Sequence, residues 1–167
     1  MSAPGTIEDL VARLAAALAA RDATMAAAES CTGGLIAAAC TSRAGSSAWF
    51  ERGVVTYSNA AKAELLGVPA SLIAGHGAVS AEVARAMADG MLARSPAAFA
   101  VAVTGIAGPG GGTDAKPVGT VWIATGARSG AAEATLLNAT GDRAAIRDRS
   151  VVRALALLLA RVEEELP

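Results

Sequence analysis

Histidine occurs once in the 167 residues, tyrosine once, cysteine twice, and lysine twice against twelve arginines. With one histidine and two cysteines no metal-ligand cluster of the usual spacing can be assembled, so no zinc is expected. Cys31 and Cys40 are too few for a disulfide framework and are expected as reduced thiols. A Ser–His–Asp triad would have to use His76, which sits between Gly75 and Gly77, where a structural role is the simpler expectation. Aromatics make up 3% of the chain, so its core must be built from small aliphatic side chains on closely approaching elements. A net charge of -1 and a pI of about 5.8 provide no basic stripe for nucleic acid and no polybasic arm for an anionic membrane. The apolar runs, such as Leu35 to Cys40 and Ala154 to Ala160, fall far short of the roughly 20 residues a membrane span needs, and no cleavable signal pattern opens the chain. The expectation is one cytoplasmic domain over 1–167.

What is present reads as alternating strands and helices. Ile7, Leu10, Val11, Leu14 and Leu18 recur at helical spacing and predict a first helix from about Thr6 to Arg21. Thr24 to Glu29 reads as a strand, followed by the turn Ser30-Cys31-Thr32-Gly33-Gly34 and a helix over Leu35 to Thr41. A second unit has Gly53 to Tyr57 as strand, Ser58 as N-cap and Asn59 to Leu66 as a helix stopped by Gly67 and Pro69. Ser80 caps a helix over Ala81 to about Arg94, and Phe99 to Thr104 forms a third strand that runs into the glycine-rich loop Gly105 to Thr113. Val118 to Thr125 and Ala132 to Leu137 alternate like a hairpin turned at Gly126 to Gly130, and a long helix starts near Asp142. Five strands and about five helices predict an α/β fold, a three-layer α/β/α sandwich with a mixed, mostly parallel sheet. Ligands in such sheets bind at the carboxyl ends of parallel strands. The turn after Glu29, the helix start after Tyr57 and the loop after Thr104 should therefore meet at one crevice.

Each of these three segments carries a candidate chemistry beside a plainer alternative. Ser30 opens a helix-forming turn whose backbone N–H groups at Thr32, Gly33 and Gly34 are suited to a developing oxyanion, yet on this segment alone a helix cap at Ser30 or Thr32 is the plainer reading. Cys31 is a rival nucleophile if the helix N-terminus lowers its pKa, and an inert core thiol otherwise. Glu29 either orients nearby backbone donors or faces solvent. With Ser58 as cap, Tyr57 and Lys62 occupy the two positions that meet in a hydrophobic staple, so their side chains should be neighbours. Partial burial would make Lys62 a base near neutral pH; the alternative is an exposed lysine lying over a ring. The glycine loop lacks both the Walker ending and the dinucleotide fingerprint, leaving a phosphate cradle at Gly105, Gly108, Gly110 and Gly111, aided by Thr104 and Thr113, or a flexible turn. Arg143 and Arg147, one turn apart, could reach an anion there or pair with Asp142, Asp148 or solvent, and solvent is the expectation for Arg147.

Taken together, Ala28 to Gly34, Gly53 to Asn59 with Lys62, Gly75 to Ser80, Val103 to Gly112, Lys116 to Trp122 and Gly141 to Arg143 resemble the CinA C-terminal domain family, the nicotinamide-nucleotide amidases. The resemblance implies hydrolysis of the carboxamide of nicotinamide mononucleotide to nicotinic acid mononucleotide, without metal or cofactor, by a protein that commonly forms homo-oligomers. It implies Ser30 as nucleophile, Lys62 as base, and Tyr57 beside them, with Thr104 and Arg143 in the substrate pocket. The approach Asn138-Ala139-Thr140 to Gly141 departs from many relatives and leaves open whether Arg143 or Arg147 meets the phosphate. Some relatives carry a further N-terminal domain, and this chain is expected to be the stand-alone form. The alternative from another class is a catalytically inactive nucleotide-binding or regulatory module that keeps the crevice.

Overall fold

The computed structural model describes residues 5–165; the ends of the domain expected over 1–167 lie outside them. Helix α1 (Ile7–Ala19) begins at a capping box, with the Thr6 side chain accepting from the Asp9 N–H and the Asp9 carboxylate accepting from the Thr6 N–H. Strand β1 (Met25–Glu29) leads through the Ser30 turn into α2 (Leu35–Thr41), and β2 (Phe50–Val55) leads into α3 (Asn59–Leu66). Two further helices, α4 (Ala70–His76) and α5 (Ala81–Ala93), precede β3 (Phe99–Gly105). The hairpin β4 (Thr120–Ala127) and β5 (Gly130–Asn138) then precedes α6 (Arg143–Glu164).

The strands form one mixed sheet in the order β2-β1-β3-β4-β5. β1 pairs parallel with both β2 and β3, while β4 runs antiparallel to both its neighbours. Four of the five strands therefore point the same way, as expected for a mostly parallel sheet. Side chains alternate across each strand, and the two faces differ in size. Met25, Ala27, Phe99, Val101 and Val103 face α1, α2 and α6, whereas Ala26, Ala28, Ala100 and Ala102 face the layer of α3, α4 and α5. The alanines of the two central strands let α5 lie close to the sheet, which is how a chain poor in aromatics fills its core.

The same economy of volume joins α5 to α3. A Cβ at Gly90, inside α5, would stand 2.0 Å from the Leu66 carbonyl oxygen at the end of α3. Alanine at an ordinary helix position gains about 1 kcal/mol over glycine, but forcing these backbones apart costs roughly 1–3 kcal/mol. Gly90→Ala is accordingly expected to lower stability, with a Tm drop of a few degrees by calorimetry, against the sign that helix propensity alone predicts. A raised Tm would contradict this contact.

Several boundaries differ from the sequence reading. The described residues contain six α-helices because α4, capped by Pro69 and Gly77, buries only Ile73 and has no amphipathic period to read. His76 ends that helix and does not sit in a free turn. β2 lies earlier than expected, since the chain leaves the sheet after Val55, and the hairpin turn shortens to Arg128-Ser129 with an irregularity between Thr125 and Ala127. The carboxyl ends of β1, β2 and β3 nevertheless share one edge of the sheet, and the site is built there.

Candidate active site

At this edge a cavity of about 280 Å³ opens between the three segments. The Ser30 turn contributes Ser30 and Cys31, the start of α3 contributes Tyr57, Asn59 and Lys62, and the segment before α5 contributes Ala78 and Val79. The loop after β3 supplies Thr104, Gly105, Ile106, Ala107, Gly108, Gly110 and Gly111, and α6 supplies Arg143.

Lys62 is 1% exposed, and its amine has three polar neighbours. Nζ lies 3.0 Å from Ser30 Oγ, 3.0 Å from the Thr56 carbonyl oxygen and 3.3 Å from the Tyr57 carbonyl oxygen. None of these is a carboxylate. Burial pulls the Lys62 pKa below the usual lysine range, with the neighbouring Cys31 sulfur opposing it. The partner count has a chemical consequence. A neutral amine has two N–H groups and one lone pair; two carbonyls can only accept, so they take the N–H groups and leave the lone pair for the Ser30 hydroxyl proton.

Local sequence explains the placement. The Ser58 hydroxyl accepts from the Ala61 N–H and starts α3, so Lys62 lies one turn inside the helix and its side chain runs back toward the N-terminus. The staple geometry that would bring the Tyr57 and Lys62 side chains together is replaced by a backbone contact. The Tyr57 ring is 60% exposed, and its hydroxyl oxygen accepts from Arg143 Nη2 at 3.0 Å, while its carbonyl accepts from the lysine. Arg143 Nη1 donates to the Gly108 carbonyl at 2.9 Å. Among the described residues its guanidinium has no carboxylate partner.

Thr32, Gly33 and Gly34 are not in the cavity lining. Thr32 is fully buried with an unpartnered hydroxyl, and Gly33 lies against Arg147, whose Nε and Nη2 donate to the Cys31 and Thr32 carbonyls at 3.1 and 3.3 Å. Arg147 is thus half-buried and outside the cavity lining, where it ties α6 to the back of the Ser30 turn. The turn uses the Gly33 and Leu35 N–H groups for its own carbonyls, leaving those of Cys31, Thr32 and Gly34 outside its bonding. Glu29 does not face solvent: it is 1% exposed, and its two carboxylate oxygens accept from the Ile36 and Ala37 N–H groups at 2.8 and 3.1 Å.

Burial pushes the Cys31 thiol up to about 11 and the Cys40 thiol up to about 12. At Cys31 desolvation outweighs the positive charges of Arg147 and Lys62, so the thiol stays protonated at neutral pH and is a poor nucleophile there. Thr104 Oγ1 donates to the Ala78 carbonyl at 2.9 Å, holding β3 to the segment before α5. Thr113 is outside the lining and accepts from the Lys116 N–H; Lys116 Nζ reaches the His76 carbonyl at 2.8 Å. The His76 ring, 3.7 Å from Glu82, is likewise absent from the cavity. The lining includes Cys31, which the sequence offers only as a rival nucleophile, and Asn59, Val79 and Ala107, which lie within the family motifs but carry no chemical signal of their own.

The CinA C-terminal domain family model matches residues 7–162. The chain belongs to this family. It is 50% identical over 153 residues to the nicotinamide-nucleotide amidohydrolase PncC of Enterobacter agglomerans, covering 92% of this chain and 93% of that protein. It is 54% identical over 141 residues to a CinA-like protein of Mycobacterium sp. (strain JLS), where the match covers 84% of this chain and 34% of the relative. The chain spans about a third of the length of such CinA-like relatives. Its fold superposes on the crystal structure of competence/damage inducible protein CihA from Agrobacterium tumefaciens with a TM-score of 0.92, at 48% identity and covering 98% and 100% of the two chains. A competence damage-inducible protein A from Klebsiella pneumoniae gives 0.93 at 40% identity, covering 97% of this chain and 100% of that one. The family structures thus share the α/β sandwich described above.

Proposed function

We propose that this chain hydrolyses the carboxamide of nicotinamide mononucleotide, releasing ammonia and nicotinic acid mononucleotide, with Ser30 as nucleophile and Lys62 as its base. The observation that carries the chemistry is the 3.0 Å contact between Ser30 Oγ and a buried amine whose other two partners are carbonyls. The name of the Enterobacter agglomerans relative supports the substrate. In the first step Ser30 Oγ bonds to the carboxamide carbon while its proton passes to Nζ. The Lys62 ammonium then gives that proton to the departing nitrogen, which leaves as ammonia. Water adds to the resulting ester with Lys62 again taking the proton, and collapse returns the proton to Ser30 as the acid is released. The N–H group of Cys31, a cavity-lining residue outside the turn's own bonding, is available to the oxyanion.

The nucleotide phosphate fits the other end of the cavity. The N–H groups of Ala107, Gly108, Gly110 and Gly111 make no backbone hydrogen bond among the described residues, and the Arg143 guanidinium is held there by neutral acceptors only. A string of free amides beside an unpaired guanidinium is suited to a phosphate. Binding energy from that remote group lowers the barrier at the carboxamide, so free nicotinamide should be a far poorer substrate than its mononucleotide. The test is ammonia release by purified protein from each compound. Arg143→Ala should lower kcat/KM for the mononucleotide by about 10- to 100-fold, the usual worth of one charge-assisted contact of ~1.5–3 kcal/mol, and leave the slow rate on nicotinamide nearly unchanged. Equal kcat/KM on the two compounds would remove the phosphate site. A nucleotide that binds without ammonia release would favour a non-catalytic, nucleotide-binding module.

A further inference from the structure

Helix α2 has no side-chain cap of its own. Its N-cap residue is Gly34, left-handed at φ 102°, and the first-turn N–H groups at Ile36 and Ala37 need acceptors from elsewhere. Both come from Glu29, the last residue of β1, which reaches across the Ser30 turn with one oxygen on each N–H. A buried carboxylate is costly unless it is well bonded, and a serine or aspartate at the cap position is the ordinary way to satisfy such a helix start. Here the acceptor instead spans the residues between the strand and the helix, and Ser30 is the first of them.

The backbone of Glu29 serves the other partner. Its carbonyl accepts from the Thr56 N–H at 2.8 Å, and the Thr56 carbonyl in turn accepts from Lys62 Nζ at 3.0 Å. The Ser30 N–H donates to the Val103 carbonyl at 2.9 Å, so the turn is pinned to β3 as well. We infer that Glu29 is a positioning residue of the Ser30–Lys62 pair, its carboxylate closing the Ser30 turn onto α2 while its carbonyl fixes the strand end that holds the lysine amine. This role rests on the Ser30–Lys62 reading proposed above. It differs from simple capping because slack in the bracket appears as misalignment of Oγ against Nζ and the carboxamide carbon, and a misplacement of about 1 Å costs on the order of 100-fold in rate.

Glu29→Gln separates the two roles. Glutamine keeps the size and one accepting oxygen, but its NH2 group meets the second backbone N–H donor to donor. The expected result is a kcat about 10- to 100-fold lower, KM for nicotinamide mononucleotide within about twofold, an acid limb of the pH–rate profile in its original place, and a fully folded protein at the assay temperature. Glu29→Ala should lose more. In parallel, the rate at which a fluorophosphonate probe labels Ser30, followed by intact-protein mass spectrometry, should fall by a similar factor in the Gln variant. Unchanged kcat and labelling in a folded Gln variant overturn the inference. So does a Gln variant that does not fold, or one whose loss of rate matches its unfolded fraction, since Glu29 is then only a cap. A wild-type protein that leaves the mononucleotide intact but is labelled at Ser30, more slowly in the Gln variant, sinks the substrate and keeps the role of Glu29. Wild-type protein that is neither active nor labelled sinks both.

Discussion

Ser30→Ala is expected to lower kcat for ammonia release by about 10,000-fold or more, while Cys31→Ala keeps most of the wild-type rate. Removing a nucleophile abolishes the covalent route and leaves only what binding and oxyanion stabilisation supply, a loss of that order in serine hydrolases. The adjacent thiol lines the same cavity and cannot take over, because burial raises its pKa to about 11 and almost none of it is thiolate at pH 7. The contrast separates two side chains only one residue apart. Its measurement is steady-state ammonia release for both variants, with folding checked by circular dichroism. High residual activity in Ser30→Ala together with an inactive Cys31→Ala would transfer the nucleophile to sulfur. Ser30→Ala should also bind the mononucleotide with a Kd near that of wild type by calorimetry, because the phosphate end of the cavity is untouched.

Features that repeat or punctuate locally were legible in the sequence. Ser58 and Ser80 each cap the helix they were expected to cap, and the last helix starts at Asp142 as its period indicates, each side chain accepting from the N–H three residues on. The convergence of three strand ends followed from the α/β alternation alone. Legibility failed where an orientation depends on a partner distant in the chain. Tyr57 next to a helix start reads as a staple, but Arg143 lies 86 residues away and draws the ring outward. Arg143 and Arg147 share a helix face, and only the packing of α6 against the Ser30 turn sends one to the cavity and the other to the Cys31 and Thr32 carbonyls. Thr32, Gly33 and Gly34 look like an oxyanion cradle as a string of letters. Their turn instead presents Ser30 and Cys31 to the cavity and its back to Arg147.

Lys62→Arg is expected to lose activity about as completely as Lys62→Ala, by roughly 1,000-fold or more given the 100- to 10,000-fold usual for a general base and the idle nucleophile that remains. Arginine retains the charge and much of the reach but cannot give up a proton at usable pH. Its failure alone could reflect poor fit of a planar fork into a site shaped for an amine, so the pH dependence is the sharper measurement. Burial lowers the folded-state pKa of Lys62, and the neutral form that activates Ser30 accumulates as pH rises through that value. Rate should therefore climb on the acid side with an apparent pKa below the ordinary lysine value of 10.5. Stability follows the same sign. Between the folded pKa and 10.5 the unfolded chain binds more protons at this lysine than the folded one, so folding is favoured increasingly as pH rises through that window and is least favoured below it. Lys62→Met lacks this titration, and the stability of wild type relative to it, from denaturant unfolding at several pH values, should increase from neutral toward alkaline pH. A rate profile without an acid limb would mean that activation of Ser30 needs no deprotonated lysine, and a stability difference that is flat across the window would mean that Lys62 titrates as an ordinary exposed lysine; either result would require another group to take the proton from Ser30.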